Sequence, residues 1–486
     1  MQRMFRFGPG HFRLTLIQSY KFGGMMMTQR QLDRRFFLKA ALFASGALAA
    51  TPMGRARAQA LEGTKVVVVG AGLSGLAAAK ALKNQGAEVI ILEAKPHIGG
   101  RLLTDWSLGP DAPFEVGAGW IHGPSQDNPT KQLADAVGST YFTTDDENLV
   151  VYSADGEEWD EAEIEEINET WAEALGKVDE TLELNDRRSL RDALSDLYPE
   201  ALSDPGVLWA LSAYTEFSKG APIEDLSAVY HDDDEVFDLP DVVVANGYDS
   251  ILKPIADGLD IRLSTPVRSI WYDEDEGVEV TTDQGAITAD YVICSVPLGV
   301  LKAGSIAFDP PLPDEIQSKI DRVGFNSVTK LALKFTEPFW DIETQYFGII
   351  TEEKGRWNYW LNYRTFSKEN VLLGLSVGAY APVADRMSDE QMKADGMDVL
   401  RGVWGDAVTE PVQMLATHWS TDPESFGAYA YPRPGGGPSQ FDGMAEPVED
   451  RVFLCGEHTI FDYAGTTHGA YMTGLRAAEA VIDEAG

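Results

Sequence analysis

Between Lys65 and Lys95 the chain reads KVVVVGAGLSGLAAAKALKNQGAEVIILEAK. The valine run, Val66 to Val69, has no polar partner to alternate with, so it predicts a strand buried on both faces. Glycines then turn the chain into a helix of small residues, and a second apolar run ends at the acid Glu93. The three glycines differ in what they allow. Gly70 permits the tight turn, Gly72 lets a pyrophosphate approach the backbone, and Gly75 lets helix and strand pack closely. A phosphate placed there meets free amides and the positive end of a helix dipole. Glu93, about twenty residues beyond the glycines, is spaced to bind a ribose hydroxyl. The segment predicts an α/β fold with a dinucleotide site.

The remaining bulk properties narrow the partners. A chain of 486 residues exceeds the size at which one core stops growing, so two domains or one large discontinuous domain is expected. A formal net charge of -38 at pH 7 argues against nucleic acid, which needs a basic face. It suits cationic ligands, and equally a solvated surface in a salty habitat. Cys294 in VICSVP and Cys455 in VFLCGEH lie in apolar runs, where cysteine acts as a small inert hydrophobe. No disulfide framework and no metal-ligand spacing is present.

Ahead of the fold stands DRRFFLKAALFASGALAATPMGRARAQA, with Arg34 and Arg35 before a mildly apolar run and a small-residue cleavage pattern near Ala56 and Ala58. This resembles a Tat export signal and predicts passage of a folded, cofactor-loaded protein through the Tat machinery to the periplasm or beyond. Residues before Met25 read as an upstream extension, with Met25, Met26 and Met27 as other starts. No later stretch is long and apolar enough to span a bilayer.

Past the middle, GFNSVTKLALKF alternates with a period of two. A strand here sets Leu331, Leu333 and Phe335 on one face and Lys330, Ala332 and Lys334 on the other. Alternation does not separate the two lysines.

Two distant segments carry a resemblance. AKPHIGGRLLT, with Gly99, Gly100 and Arg101 after the second strand, resembles the Gly-Gly-Arg segment of FAD-containing amine oxidases and glutathione-reductase-like flavoproteins. That implies FAD, with Arg101 reaching its phosphates beside Gly100. VFLCGEHTIFDYAGTTHGAYMTGLRAAEAVIDEAG reads as a strand, a Gly-Glu turn and a closing helix. The resemblance gives Glu457 to FAD and turns the helix N-terminus near Thr466 and Thr467 toward the flavin. Further ordered blocks, among them GAGWIHGPSQDNP, VICSVPLGVLKAGSIAFDPPLP and HWSTDPESFGAYAY, are similar to the flavin amine oxidase family. Within it the nearest patterns are polyamine oxidases, spermine oxidases and lysine-specific histone demethylases.

The resemblance implies a discontinuous Rossmann-like FAD-binding domain of the glutathione-reductase type, from 61–140, 241–315 and 440–486. An α+β substrate domain comes from 141–240 and 316–439. Val267 matches a position on the adenine side, and Trp419 one that packs near the flavin. Monoamine oxidases tether the flavin through a cysteine that is Ala428 here, so noncovalent FAD is implied. Tyr429 matches one aromatic wall of the amine cage, while the opposite wall falls on Thr466. His122 matches an active-site histidine, and Lys330 a lysine that holds a water beside the flavin, leaving Lys334 to point outward. The implied reaction takes a hydride from the carbon beside a neutral amine and yields imine, then aldehyde, with oxygen or another electron acceptor and hydrogen peroxide as the oxygen product. A small cationic amine, above all a polyamine, is the expected substrate. A monoamine oxidase, an L-amino-acid oxidase, a flavin desaturase and a non-catalytic FAD protein are the competing readings.

Overall fold

In the computed structural model, which describes residues 61–486, the valine run forms the strand Lys65–Val69 at the centre of a five-stranded parallel sheet. From edge to edge the strands are Val452–Leu454, Tyr291–Cys294, Lys65–Val69, Glu88–Leu92 and Asp260–Arg262. Val67 lies opposite both Ile90 and Val292. On one side Val66, Val68, Ile91, Ile293 and Phe453 join a core with the helix Leu73–Asn84, and on the other Val67, Val69, Ile90, Val292 and Leu454 join a second core. Burial on both faces removes any place for a polar side chain. The twin-arginine segment lies outside the described residues.

The closing helix Thr467–Ala485 packs across Leu73–Asn84. A Cβ at Gly474 would stand 2.1 Å from the Ser74 carbonyl oxygen, so the crossing needs glycine there. Cys294 and Cys455 are buried free thiols, joined through the backbone where the Cys455 amide donates to the Cys294 carbonyl at 3.0 Å. Burial pushes both thiols above the usual range, to about 12 and about 11.

A second, six-stranded sheet runs in the order Gln413–Ala416, Thr329–Lys334, Val371–Ser376, Tyr359–Asn362, Tyr346–Ile350, Leu149–Ser153, antiparallel except for its last pair. Leu331, Leu333 and Phe335 face a core with Met392, Met397 and Leu400 of the helix Asp389–Trp404, while Ala332 faces an opposite core. The acidic stretch Glu161–Thr181 is a helix, started by a capping box between Asp160 and Glu163. A small three-stranded sheet, Trp120–Ile121, Val242–Val244 and Tyr141–Thr143, brings three remote loops together. The site lies among these loops and the lysine strand.

Candidate active site

At the nucleotide end the glycine turn has the required geometry. Gly70 takes φ +101°, and a Cβ at Gly75 would lie 2.1 Å from the Gly70 carbonyl oxygen, so the helix start can hug the strand only without side chains. Gly72 has open space by contrast: a Cβ there would meet nothing nearer than the Gly99 carbonyl oxygen at 3.9 Å. Gly72 caps the helix without a side-chain hydrogen bond, which leaves amide donors at the helix start for an anion. Gly100, at φ +59°, faces the Gly72 backbone. Glu93 directly follows the second strand, its carboxylate accepting from the Ala71 amide at 2.6 Å and the Lys95 amide at 2.8 Å. Val267 is buried two residues past Thr265, whose amide donates to the Glu93 carbonyl at 2.8 Å. Open backbone between Gly72 and Gly100, bordered by uncapped amides and an acid, fits a dinucleotide.

Arg101 and Glu457 meet. Arg101 Nη1 donates to Glu457 Oε1 at 2.9 Å and to the Ala428 carbonyl at 2.5 Å. The other Glu457 oxygen accepts from the Gly465 amide at 2.8 Å and the Ala430 amide at 3.3 Å. The glutamate therefore binds the Gly-Gly-Arg loop, the strand Tyr429–Pro432 and the start of the closing helix into one unit. Tyr429 is wedged between two glycines, because a Cβ would come within 2.4 Å of its ring at Gly220 and 3.2 Å at Gly465. Its hydroxyl donates to the Phe217 carbonyl at 2.6 Å. Thr466 is the N-cap of the closing helix, its hydroxyl accepting from the Gly469 amide at 2.9 Å, and Thr467 shares a 2.7 Å hydrogen bond with the Tyr248 hydroxyl.

Nearby, His458 is buried, and neither ring nitrogen has a hydrogen-bond partner among the described residues. Burial pushes its pKa down to about 4, against the opposing pull of Glu457.

Lys330 lies inside the protein, 6% exposed. Nζ donates to the backbone carbonyls of Glu115 at 2.8 Å and Gly117 at 2.6 Å, and stands 5.5 Å from the centre of the Trp120 ring. One of its three donors is left over. Burial holds the ammonium below the usual lysine range, opposed by Glu115, and burial holds the Glu115 carboxyl above the carboxylate range, opposed by the Tyr248 amide and Thr104. Glu115 was legible only as an acid inside the apolar run PFEV, and its proximity to Lys330 had no local signal. The expectation that Lys334 points outward is corrected. Its ammonium donates to the Leu108 carbonyl at 2.5 Å and pairs with Glu369 at 2.6 Å, on the side of the strand where the 108–117 segment also meets Lys330. Trp419 is buried, its indole N–H donating to the Val116 carbonyl at 3.0 Å. With Gly100, Val116 and Lys95 it lines a cavity of about 350 Å³.

His122 lies two residues past Trp120, whose ring faces Lys330. Antiparallel pairing of Ile121 with Val242 sets His122 opposite Asp241, and Nδ1 lies 2.5 Å from Asp241 Oδ2. Asp146 lies three residues past the strand Tyr141–Thr143 that pairs with Val242–Val244, and its charge acts on His122, Asp241, Tyr214, Tyr346 and Tyr359. Among the described residues Asp146 has no ion pair with a lysine or arginine. Partial desolvation of this exposed side chain, with Asp241 and Asp145 nearby, raises its pKa. The aromatic wall is continuous: Trp120 meets Phe217 at 6.2 Å, Phe217 meets Tyr359 at 6.3 Å, and Tyr359 stacks on Tyr346 at 5.0 Å between ring centres. His468 lies edge-on to Phe237 and Tyr463, and burial lowers its pKa to about 3. Asp146, Asp241, His468 and the tyrosines were not singled out from the sequence, since each is ordinary until remote strands pair.

A family model for flavin containing amine oxidoreductases matches residues 73–482. The chain is 31% identical over 433 residues to Polyamine oxidase 2 of Arabidopsis thaliana, covering 85% of this chain and 87% of that one. It is 33% identical over 443 residues to Lysine-specific histone demethylase 1 homolog 2 of the same plant, covering 87% of this chain and 59% of the other. Wild-type putrescine oxidase bound to putrescine shares the fold, with a TM-score of 0.69 at 23% identity over 86% of this chain and 99% of that one. With its glycine turn, its Arg101–Glu457 junction and its buried lysine, the chain belongs to the flavin containing amine oxidoreductase family.

Proposed function

We propose that this protein is an FAD-dependent oxidase of polyamines or related cationic amines. The observation that carries the substrate class is Asp146, an exposed carboxylate with no lysine or arginine partner among the described residues, whose charge acts on Tyr214, Tyr346 and Tyr359. Aromatic faces and an uncompensated carboxylate both attract an ammonium. A second charged nitrogen on the substrate gives Asp146 a counter-ion that a monoamine lacks.

Gly70, Gly72, Gly75, Glu93, Gly100, Arg101 and Glu457 would hold the cofactor, with Val267 on its adenine side and Trp419 and Thr467 nearer the flavin. The bound flavin supplies the acceptor for a hydride from the carbon beside a neutral amine nitrogen, with oxygen as final acceptor. Tyr429 and Thr466 border the reacting amine, His122 handles its proton, and Lys330 keeps its spare donor for a water. Ala428 offers no thiol for a tether, which supports noncovalent FAD. Arg34 and Arg35 support export through the Tat route and a periplasmic or secreted location. The parallel sheet, built from three separated stretches, supports an FAD domain of 61–140, 241–315 and 440–486 beside a substrate domain.

Anaerobic bleaching of the flavin tests the reading, with spermine, spermidine, putrescine, acetylated polyamines and aromatic monoamines as the panel. Polyamines should reduce the flavin fastest; faster reduction by benzylamine would replace this substrate class with monoamines.

A further inference from the structure

Asp241 is the residue before the strand Val242–Val244, and its carboxylate takes two donors from one turn: His122 Nδ1 at 2.5 Å and the Gly123 amide at 3.0 Å. Its backbone is fixed as well, since the carbonyl accepts from the Thr144 amide at 2.9 Å and the Thr144 hydroxyl at 3.0 Å. The aspartate cannot drift from the histidine.

We propose that Asp241 is a positioning residue for amine oxidation, holding His122 with its proton on Nδ1 so that Nε2 takes a proton from the arriving ammonium. The proposal rests on the reading of this protein as an oxidase of cationic amines. An ionised carboxylate only accepts hydrogen bonds, so the proton of the neutral imidazole must lie on Nδ1 and the lone pair on Nε2. Nε2 has no hydrogen-bond partner among the described residues. The imidazole is 57% exposed, so solvent reaches its ring.

A polyamine arrives as an ammonium, and a hydride leaves only from carbon beside a neutral nitrogen. One N–H bond of the ammonium breaks, its electron pair stays on the substrate nitrogen, and the proton bonds to Nε2. The imidazolium so formed lies against the Asp241 carboxylate, and its exposed edge returns the proton to water. Groups facing His122 agree in sign. Burial alone would lower its pKa, but the hydrogen bond and charge of Asp241, with the charges of Asp146 and Asp234, overcome burial and hold it above the usual histidine range. Burial alone would raise Asp241, but the hydrogen bonds from His122 and the Gly123 amide outweigh it and hold the carboxyl below the usual range. From the closing helix, His468 adds no charge near neutrality, because burial keeps it neutral down to about pH 3.

The experiment pairs histidine NMR titration with pH profiles of kcat/KM for a polyamine, on the flavin-loaded parent, Asp241→Asn, Asp241→Glu, His122→Gln and the double variant. In Asp241→Asn the His122 titration and the acid limb of kcat/KM should both move down by about one pH unit, with kcat/KM at the optimum about tenfold lower. Asp241→Glu should recover most of the rate, and Asp241→Asn should cost nothing further in the His122→Gln background. A titration and acid limb that stay in place, with the same loss of rate in the His122→Gln background, would overturn the proposal and leave Asp241 as a brace for the turn. A parent that oxidises no amine would instead overturn the underlying reading and the proton step with it.

Discussion

Arg101 and Glu457 are 356 positions apart and form an ion pair of 2.9 Å. The glutamate is 4% exposed, and its second oxygen is held by two backbone amides, so both carboxylate oxygens are engaged. It joins the loop after the second strand to the helix that closes the chain.

Breaking such a pair from one side strands the other charge. Glu457→Gln should therefore lower unfolding stability by about 3 kcal/mol, with a parallel fall in bound flavin. Denaturant titration and the flavin-to-protein absorbance ratio read both; an unchanged midpoint would show that Arg101 finds equal compensation elsewhere.

Lys330→Met should keep the fold and the flavin while slowing turnover at least about tenfold, roughly 1.4 kcal/mol of barrier. Lys334 is fixed by Glu369 and the Leu108 carbonyl, so Lys334→Met should cost about 1 kcal/mol of stability and leave turnover nearly unchanged. Stopped-flow reduction and reoxidation, measured separately, distinguish the two lysines. Equal small effects on both half-reactions would return Lys330 to a packing role.

Acid precipitation should leave the yellow colour in the supernatant, because Ala428 has no sulfur and its carbonyl is already bound by Arg101. Colour in the pellet would mean a tether at another residue.

His458 and His468 are buried with pKa values pushed down by burial to about 4 and about 3. The unfolded chain binds their protons near the ordinary histidine value of ~6.5, so their contribution is complete above that pH and is lost as pH falls toward the folded values. Tm should decline from about pH 6.5 to about pH 4, less steeply in His458→Leu. Glu115, held above the carboxylate range by burial, works in the opposite direction, and Glu115→Gln isolates its share. An acid slope identical in parent and His458→Leu would count against the neutral buried histidine.

Asp146→Asn should raise KM for spermine about tenfold, a loss of roughly 1.4 kcal/mol, and change KM for benzylamine little. The advantage of spermine should also shrink between 0.1 M and 1 M salt, as the Debye length falls from about 10 Å to about 3 Å. Equal effects on both amines would remove Asp146 from substrate selection.

Local chemistry determined part of this protein before any folding. The valine run, the glycine turn and Glu93 specify strand, turn, helix and strand because burial on both faces, positive φ and close helix packing each restrict the residue types allowed. GFNSVTKLALKF specified a strand only in part: Thr329–Lys334 packs its apolar face on the helix Asp389–Trp404, while Val323–Asn326 forms a separate strand paired with Tyr429–Pro432. Tertiary structure decided the rest. Lys330 and Lys334 share one face by period, and only the 108–117 segment laid over them gives Lys330 two backbone carbonyls and Lys334 one, with Glu369 from a separate loop completing Lys334. Asp241 meets His122 because antiparallel pairing of Ile121 with Val242 sets the two opposite each other, while Glu115 acquires its altered acidity from burial, against the opposing hydrogen bonds of the Tyr248 amide and Thr104. Hydrophobic period and turn chemistry act within a few residues, whereas the charge state of a side chain depends on neighbours that sequence separation does not constrain.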